Sequence, residues 1–162
     1  MKPFIASLLL GSALLATPAF AADQLQVQDP WVRAGPPVAQ ALAGYMTLQN
    51  AGSRELKVVG ASSPNFSKVE IHETVQQDGK SLMRPKPQFA VAPGASIQMT
   101  PGGMHIMLIG PKNPLQPKDQ ITITLKFADG TEQAITAEVR AGSGVKKEKP
   151  PAGKDEMHEH HH

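Results

Sequence analysis

The chain has 162 residues, no Cys, 7 Met, 6 His and a formal charge of +2. The missing Cys excludes a disulfide framework, a thiolate nucleophile, Cys-ligated zinc, iron–sulfur clusters and a blue-copper centre. The charge is too small for a phosphate-backbone binder, and 40% hydrophobic with 19% charged residues is the composition of one folded domain.

In chain order, the first segment reads as a targeting signal. Lys2 supplies a positive start, Phe4 to Leu15 an apolar run, Pro18 a breaker and Ala19-Phe20-Ala21 an A-x-A cleavage site. The apolar run is well short of the roughly 20 residues that a membrane-spanning helix needs. Residues 1–21 are therefore expected to be a secretory signal peptide, and the mature chain to start at Ala22. It is expected to lie in a bacterial periplasm with no membrane span after cleavage.

Residues 22–141 carry little helical periodicity and many strand signals. Runs at Leu25–Val32, Gly44–Gln49, Leu56–Ala61, Ser96–Thr100 and Glu132–Arg140 read as strands. Val69 and Ile71 alternate with Lys68, Glu70 and His72. Ile106 and Leu108 alternate with His105 and Met107. Ile121, Ile123, Leu125 and Phe127 alternate with polar residues. Turn signals separate the runs: Asn50-Ala-Gly52, Gln77-Asp-Gly79, Ala92-Pro-Gly94, Pro101-Gly-Gly103 and Ala128-Asp-Gly130. Asp129-Gly130 between two alternating runs predicts a hairpin. Short strands at this spacing predict an all-β sandwich or barrel. Trp31, the sole Trp, is read as core packing.

The last stretch, residues 142–162, is rich in Gly, Pro, Lys and Glu, has no hydrophobic periodicity, and is expected to be a disordered tail. It ends in Met157, His158, His160, His161 and His162. Glu159 interrupts the His run and Met157 precedes it, unlike the continuous run of a purification tag. The tail is read as a second candidate metal site, with imidazoles suited to Cu(II).

The chemistry follows from side-chain parity. Successive strand side chains point to opposite faces. With Val69 and Ile71 facing the core, His72 faces away from it. With Ile106 and Leu108 facing the core, His105 and Met107 share the outward face. His72, Met83, His105 and Met107 form a soft set of two imidazoles and two thioethers. Thioethers select Cu(I), whereas magnesium and calcium want oxygen and zinc prefers Cys, His and carboxylate. Met46 and Met99 are read as packing.

The spacing of these four, H-x10-M-x21-H-x-M, resembles the signature of the periplasmic copper chaperone family PCuAC. Trp31-Val-Arg-Ala34 followed by Pro36-Pro37, Gly44-Tyr45-Met46 leading to Asn50, and Gly102-Gly-Met-His-Ile-Met-Leu108 resemble that family too. Some members carry Met directly after the first His. Here Glu73 stands there, and no ligand role is assigned to it. The resemblance implies a cupredoxin-like Greek-key β-sandwich or barrel. It also implies Cu(I) held near the surface by His72, Met83, His105 and Met107, and delivered toward the dinuclear copper centre of a haem–copper oxidase. The expected partner is then a copper-accepting oxidase subunit or another thiol-containing copper chaperone, with no nucleic acid and a monomeric state. A copper buffer or resistance protein using the same site is the alternative. No enzymatic activity is expected: both His of the domain are spent on copper, and the ligand set leaves no evident open position.

Overall fold

The computed structural model describes residues 24–142; the expected signal peptide and the expected metal site of the tail, Met157, His158, His160, His161 and His162, lie outside them. The described residues form ten strands. These are β1 (Leu25–Arg33), β2 (Ala41–Asn50), β3 (Leu56–Ser62), β4 (Phe66–Gln77) and β5 (Lys80–Pro85). They continue with β6 (Phe89–Val91), β7 (Ser96–Met99), β8 (Met104–Pro111), β9 (Gln120–Phe127) and β10 (Glu132–Arg140). No helix among them is long and apolar enough to cross a membrane.

The strand order is β5-β4-β8-β2-β1-β10-β9-β3-β6, with β7 on β2. Neighbours that are distant in sequence give Greek-key crossovers, and the sheet wraps into a cupredoxin-like, all-β fold. β2 changes partner along its length. Ala41–Gly44 pairs with β8, and Met46–Gln49 pairs with β7. β1 runs antiparallel to β2 and parallel to β10.

The expected strands are all present, and the alternation around Ile71 proves to be the middle of a twelve-residue strand. Leu48, Ile106, Leu108, Ile123, Leu125 and Val139 are fully buried in one core. Met46 and Met99 pair across β2 and β7 inside it. Residues 129–130 form the expected hairpin tip: Gly130 has a φ of 83°, and Asp129 Oδ1 accepts bonds from Thr131 N and Oγ1.

β5 has no counterpart in the sequence reading. All six of its residues are exposed, so no buried face imposes alternation on it. It is held instead by register with β4, from Gln77↔Lys80 to His72↔Pro85. The two-residue turn between them has positive φ at both Asp78 (52°) and Gly79 (74°), the pairing that suits the twist of a tight hairpin.

Trp31 is buried as expected, at 7% exposed, but it packs apart from the main hydrophobic cluster. The cause is a β-bulge: the β1–β2 register shifts between Gln28 and Trp31, and Asp29 has a φ of 46°. Before the bulge the odd-numbered Leu25 and Val27 face the core; after it the even-numbered Val32 does. One extra residue switches strand parity and sends Trp31 to the opposite face.

Candidate metal centre

β4 and β8 are antiparallel, with His72 opposite His105, Ile71 opposite Ile106 and Glu70 opposite Met107. Ile71 and Ile106 are in the core, so the flanking pairs lie on the far face of the sheet. The His72 and His105 ring centroids are 5.9 Å apart with an interplanar angle of 59°. On β5, Met83 stands opposite Thr74 and Pro85 opposite His72. Thr74 and His72 share a face by the two-residue period, so Met83 joins them diagonally. The four predicted donors thus occupy one face of three adjacent strands, β5, β4 and β8.

Their exposure is graded. Met83 is 63% exposed and His105 only 4%; His72 and Met107 are half-buried. The outward face of β8 is therefore turned from the core without being open to solvent at His105. Tyr45 covers it, with its ring centroid 6.4 Å from that of His105. Trp31 stacks on Tyr45 at 4.7 Å. Arg33 sits over the Tyr45 ring and Arg140 over Trp31, each at 5.9 Å. Burial pushes the Tyr45 phenol up from its usual range, with the Arg33 charge acting the other way.

The imidazoles are held by different partners. His105 Nδ1 donates to the Gly103 carbonyl at 3.1 Å. The preceding turn makes this possible: Gly102 has a φ of 85°, which favours Gly, and Gly103 N closes the turn onto the Thr100 carbonyl at 2.9 Å. His72 Nε2 bonds Glu70 Oε2 at 2.8 Å, two residues back on the same face. Lys68 forms an ion pair with the other Glu70 oxygen. The Lys68 ammonium, and after it the His72 imidazole, hold the Glu70 carboxyl below the usual carboxylate range. Glu73 faces away and pairs with Lys86 at 2.5 Å.

The other ring nitrogens, His72 Nδ1 and His105 Nε2, are buried and have no hydrogen-bond partner. Buried polar atoms are nearly always satisfied, so two bare lone pairs in one cross-strand pair suit an electrophile arriving between them. Among the described residues no three His, Cys, Asp or Glu side chains group as a metal site. The thioethers of Met83 and Met107 on the same face are soft donors, which favour a soft monovalent ion. Neither Glu70 nor Tyr45 was read from the sequence as part of the site. For Glu70 the available signal was E-x-H at strand spacing.

A cupredoxin-like domain with a His/Met face on β5, β4 and β8 is the class that fold and site define. The chain belongs to the LpqE-like family, described as "Putative lipoprotein LpqE-like", whose model matches residues 25–139. A curated relative, "Putative lipoprotein Lxx21020" of Leifsonia xyli subsp. xyli, is 36% identical over 150 residues, covering 87% of this chain and 89% of its own. Among solved structures, the copper-bound PCuAC domain from PmoF2 superposes with a TM-score of 0.63 at 24% identity, over 76% of this chain and 97% of that one. Apo-DR1885 from Deinococcus radiodurans superposes with a TM-score of 0.59 at 29% identity, over 88% and 95%. The Cu(I) form of DR1885 gives 0.57 at 28% identity, over 75% and 78%.

Proposed function

We propose that this protein is an exported Cu(I) carrier that binds one ion through His72, Met83, His105 and Met107. In this reading it hands the ion to the dinuclear copper centre of a haem–copper oxidase, directly or through another thiol-containing copper chaperone. The observation that carries the reading is the convergence of two imidazoles and two thioethers on one face of β5, β4 and β8. The likeness to DR1885, a protein solved with Cu(I) at 28% identity, supports the choice of ion.

The donor chemistry suits transport. Thioether bonds to Cu(I) are neutral and individually weak, and Met needs no deprotonation. A partner bearing thiolates can replace such donors one at a time, and exposed Met83 is the first within its reach. Buried His105 is then the last to let go. An export address fits a donor set without thiols, which has nothing to mis-pair in an oxidising compartment. The family's description speaks of lipoproteins, but these 162 residues contain no Cys, so they hold no thiol to carry an acyl chain.

Titration with Cu(I) against a competing chelator tests the site. Wild type is expected to bind one ion. The variant with His72, Met83, His105 and Met107 all changed to Ala is expected to bind none at the same chelator strength; equal affinity would refute the assignment. Transfer of Cu(I) from loaded protein to an apo oxidase copper domain, followed optically, tests delivery.

The tail adds a Cu(II) site at Met157, His158, His160, His161 and His162, from which copper passes to the rigid site. Deleting residues 142–162 is expected to remove Cu(II) binding and spare Cu(I). Unchanged Cu(II) stoichiometry in the truncated protein would overturn this role.

A further inference from the structure

Resting on the copper reading above, we propose that Glu70 is a positioning residue that decides which nitrogen of His72 meets the metal. His72 binds through Nδ1 and His105 through Nε2, so the two histidines present opposite ring nitrogens to one ion.

The argument begins with what each partner atom can do. A backbone carbonyl only accepts, so the nitrogen of His105 facing the Gly103 carbonyl, Nδ1 at 3.1 Å, carries the proton. Its Nε2 is then the free lone pair, and Nε2 is the buried atom without a partner. An ionised carboxylate likewise only accepts, so His72 Nε2, 2.8 Å from Glu70 Oε2, carries the proton there. Nδ1 is left as the lone pair, and Nδ1 is the second buried atom without a partner. The two bare nitrogens belong to residues directly opposite in the β4–β8 register.

Glu70 is well placed to hold this arrangement. It lies two residues from His72 on the same face of β4, and Lys68, two residues further back on that face, takes its other oxygen. The carboxylate is thus clamped from both sides, and its free rotation is small. A carboxylate behind a ligating imidazole fixes the ring and raises its basicity, and losing such a partner costs about 10–100-fold in metal affinity. Glu70 also stands opposite Met107, so one residue borders two of the proposed donors without being one.

The test uses the full-length protein labelled with nitrogen-15 and loaded with isotopically pure silver-109 as Ag(I), a soft spin-active stand-in for Cu(I). In the apo protein, long-range proton–nitrogen spectra are expected to report the Nε2–H form of His72 and the Nδ1–H form of His105. With Ag(I), scalar coupling to the metal is expected at His72 Nδ1 and His105 Nε2. Glu70→Ala is expected to mix the two tautomers of His72, leave the His105 signals in place, and weaken Cu(I) about tenfold or more. Glu70→Gln retains an acceptor oxygen, so it is expected to keep the His72 tautomer and lose less affinity. Coupling at His72 Nε2, or an unchanged His72 tautomer in Glu70→Ala, would overturn the proposal while leaving the copper site standing. Absence of coupling at both histidines would overturn the copper site itself, and this inference with it.

Discussion

Replacing His105 with Ala is expected to lower Cu(I) affinity by on the order of a hundredfold or more, exceeding the loss from an outer partner. Three features of this residue make the loss large. It is 4% exposed, so no water or mobile side chain can take its place. Its free nitrogen is preoriented by the bond from Nδ1 to the Gly103 carbonyl, so binding costs little ordering of the ring. It also sits between His72 on β4 and Tyr45 on β2, which keeps it from swinging away. Met83→Leu is the internal comparison. Met83 is 63% exposed and pays for its ordering on binding, so its loss is expected to be smaller than that of His105. Stability should respond weakly to His105→Ala, by about 1–2 kcal/mol, because Gly103 O still accepts a bond from Thr74 N at 3.2 Å. Chelator competition with Cu(I) measures the first effect and urea unfolding of apo protein the second. A Cu(I) affinity within threefold of wild type, or a smaller loss than Met83→Leu, would contradict the assigned role.

How far the sequence alone carried these conclusions differs from strand to strand. On β8 and β4 the hydrophobic period is strong, since Ile106, Leu108 and Ile71 are each buried. Parity there turns His72 on β4, and His105 with Met107 on β8, away from the core without any tertiary information; the β4–β8 pairing that makes these one face is what the structure adds. β5 could not be read that way. Its exposed residues carry no period, and Met83 joins the others only because the Asp78-Gly79 turn sets the register. The burial of His105 was hidden for a different reason. It depends on Tyr45 and Trp31 from strands sixty or more positions earlier, and Trp31 reaches that face only through the bulge at Asp29-Pro30. A bulge changes parity through the backbone, which a count of apolar positions does not register. Its trace in the sequence is the Pro inside a strand run, a residue that sheets confine to edges and bulges. Glu70 was legible in principle, because E-x-H on a strand puts carboxylate and imidazole side by side. Its contact with Nε2 is a matter of ring orientation, which spacing does not determine.

Asn50→Ala is expected to destabilise the fold by about 3–5 kcal/mol while leaving Cu(I) affinity of the folded protein unchanged. Asn50 ends β2 and is fully buried. Its side-chain nitrogen donates to the carbonyls of Arg54 at 2.7 Å and Val91 at 2.9 Å. Its Oδ1 accepts from Gly52 N at 2.9 Å, and its backbone bonds Ala95 O and Gly94 N, each at 3.0 Å. One residue thereby joins the end of β2, the loop into β3 and β6 through its side chain, and the turn into β7 through its backbone. Ala removes the side-chain partner of three backbone groups at once. Each one left buried and unpaired costs about 1–3 kcal/mol, softened by whatever water enters. For a domain of this length the midpoint of thermal unfolding should fall by roughly 10–20 °C. Asn50 lies five residues along β2 from Tyr45, about 17 Å at strand rise, so the damage falls at the end of the barrel away from the copper face. Saturating Cu(I) should therefore raise the melting temperature of Asn50→Ala as it does wild type, since ligand stabilisation depends on affinity for the native state alone. His105→Ala should behave oppositely, with an apo melting temperature lowered by only about 4–8 °C and almost no shift on adding Cu(I). Calorimetry of the three apo and Cu(I)-loaded proteins checks both halves together. If Asn50→Ala loses the metal-induced shift, scaffold and copper face are coupled, and the site is not the preformed surface its register describes.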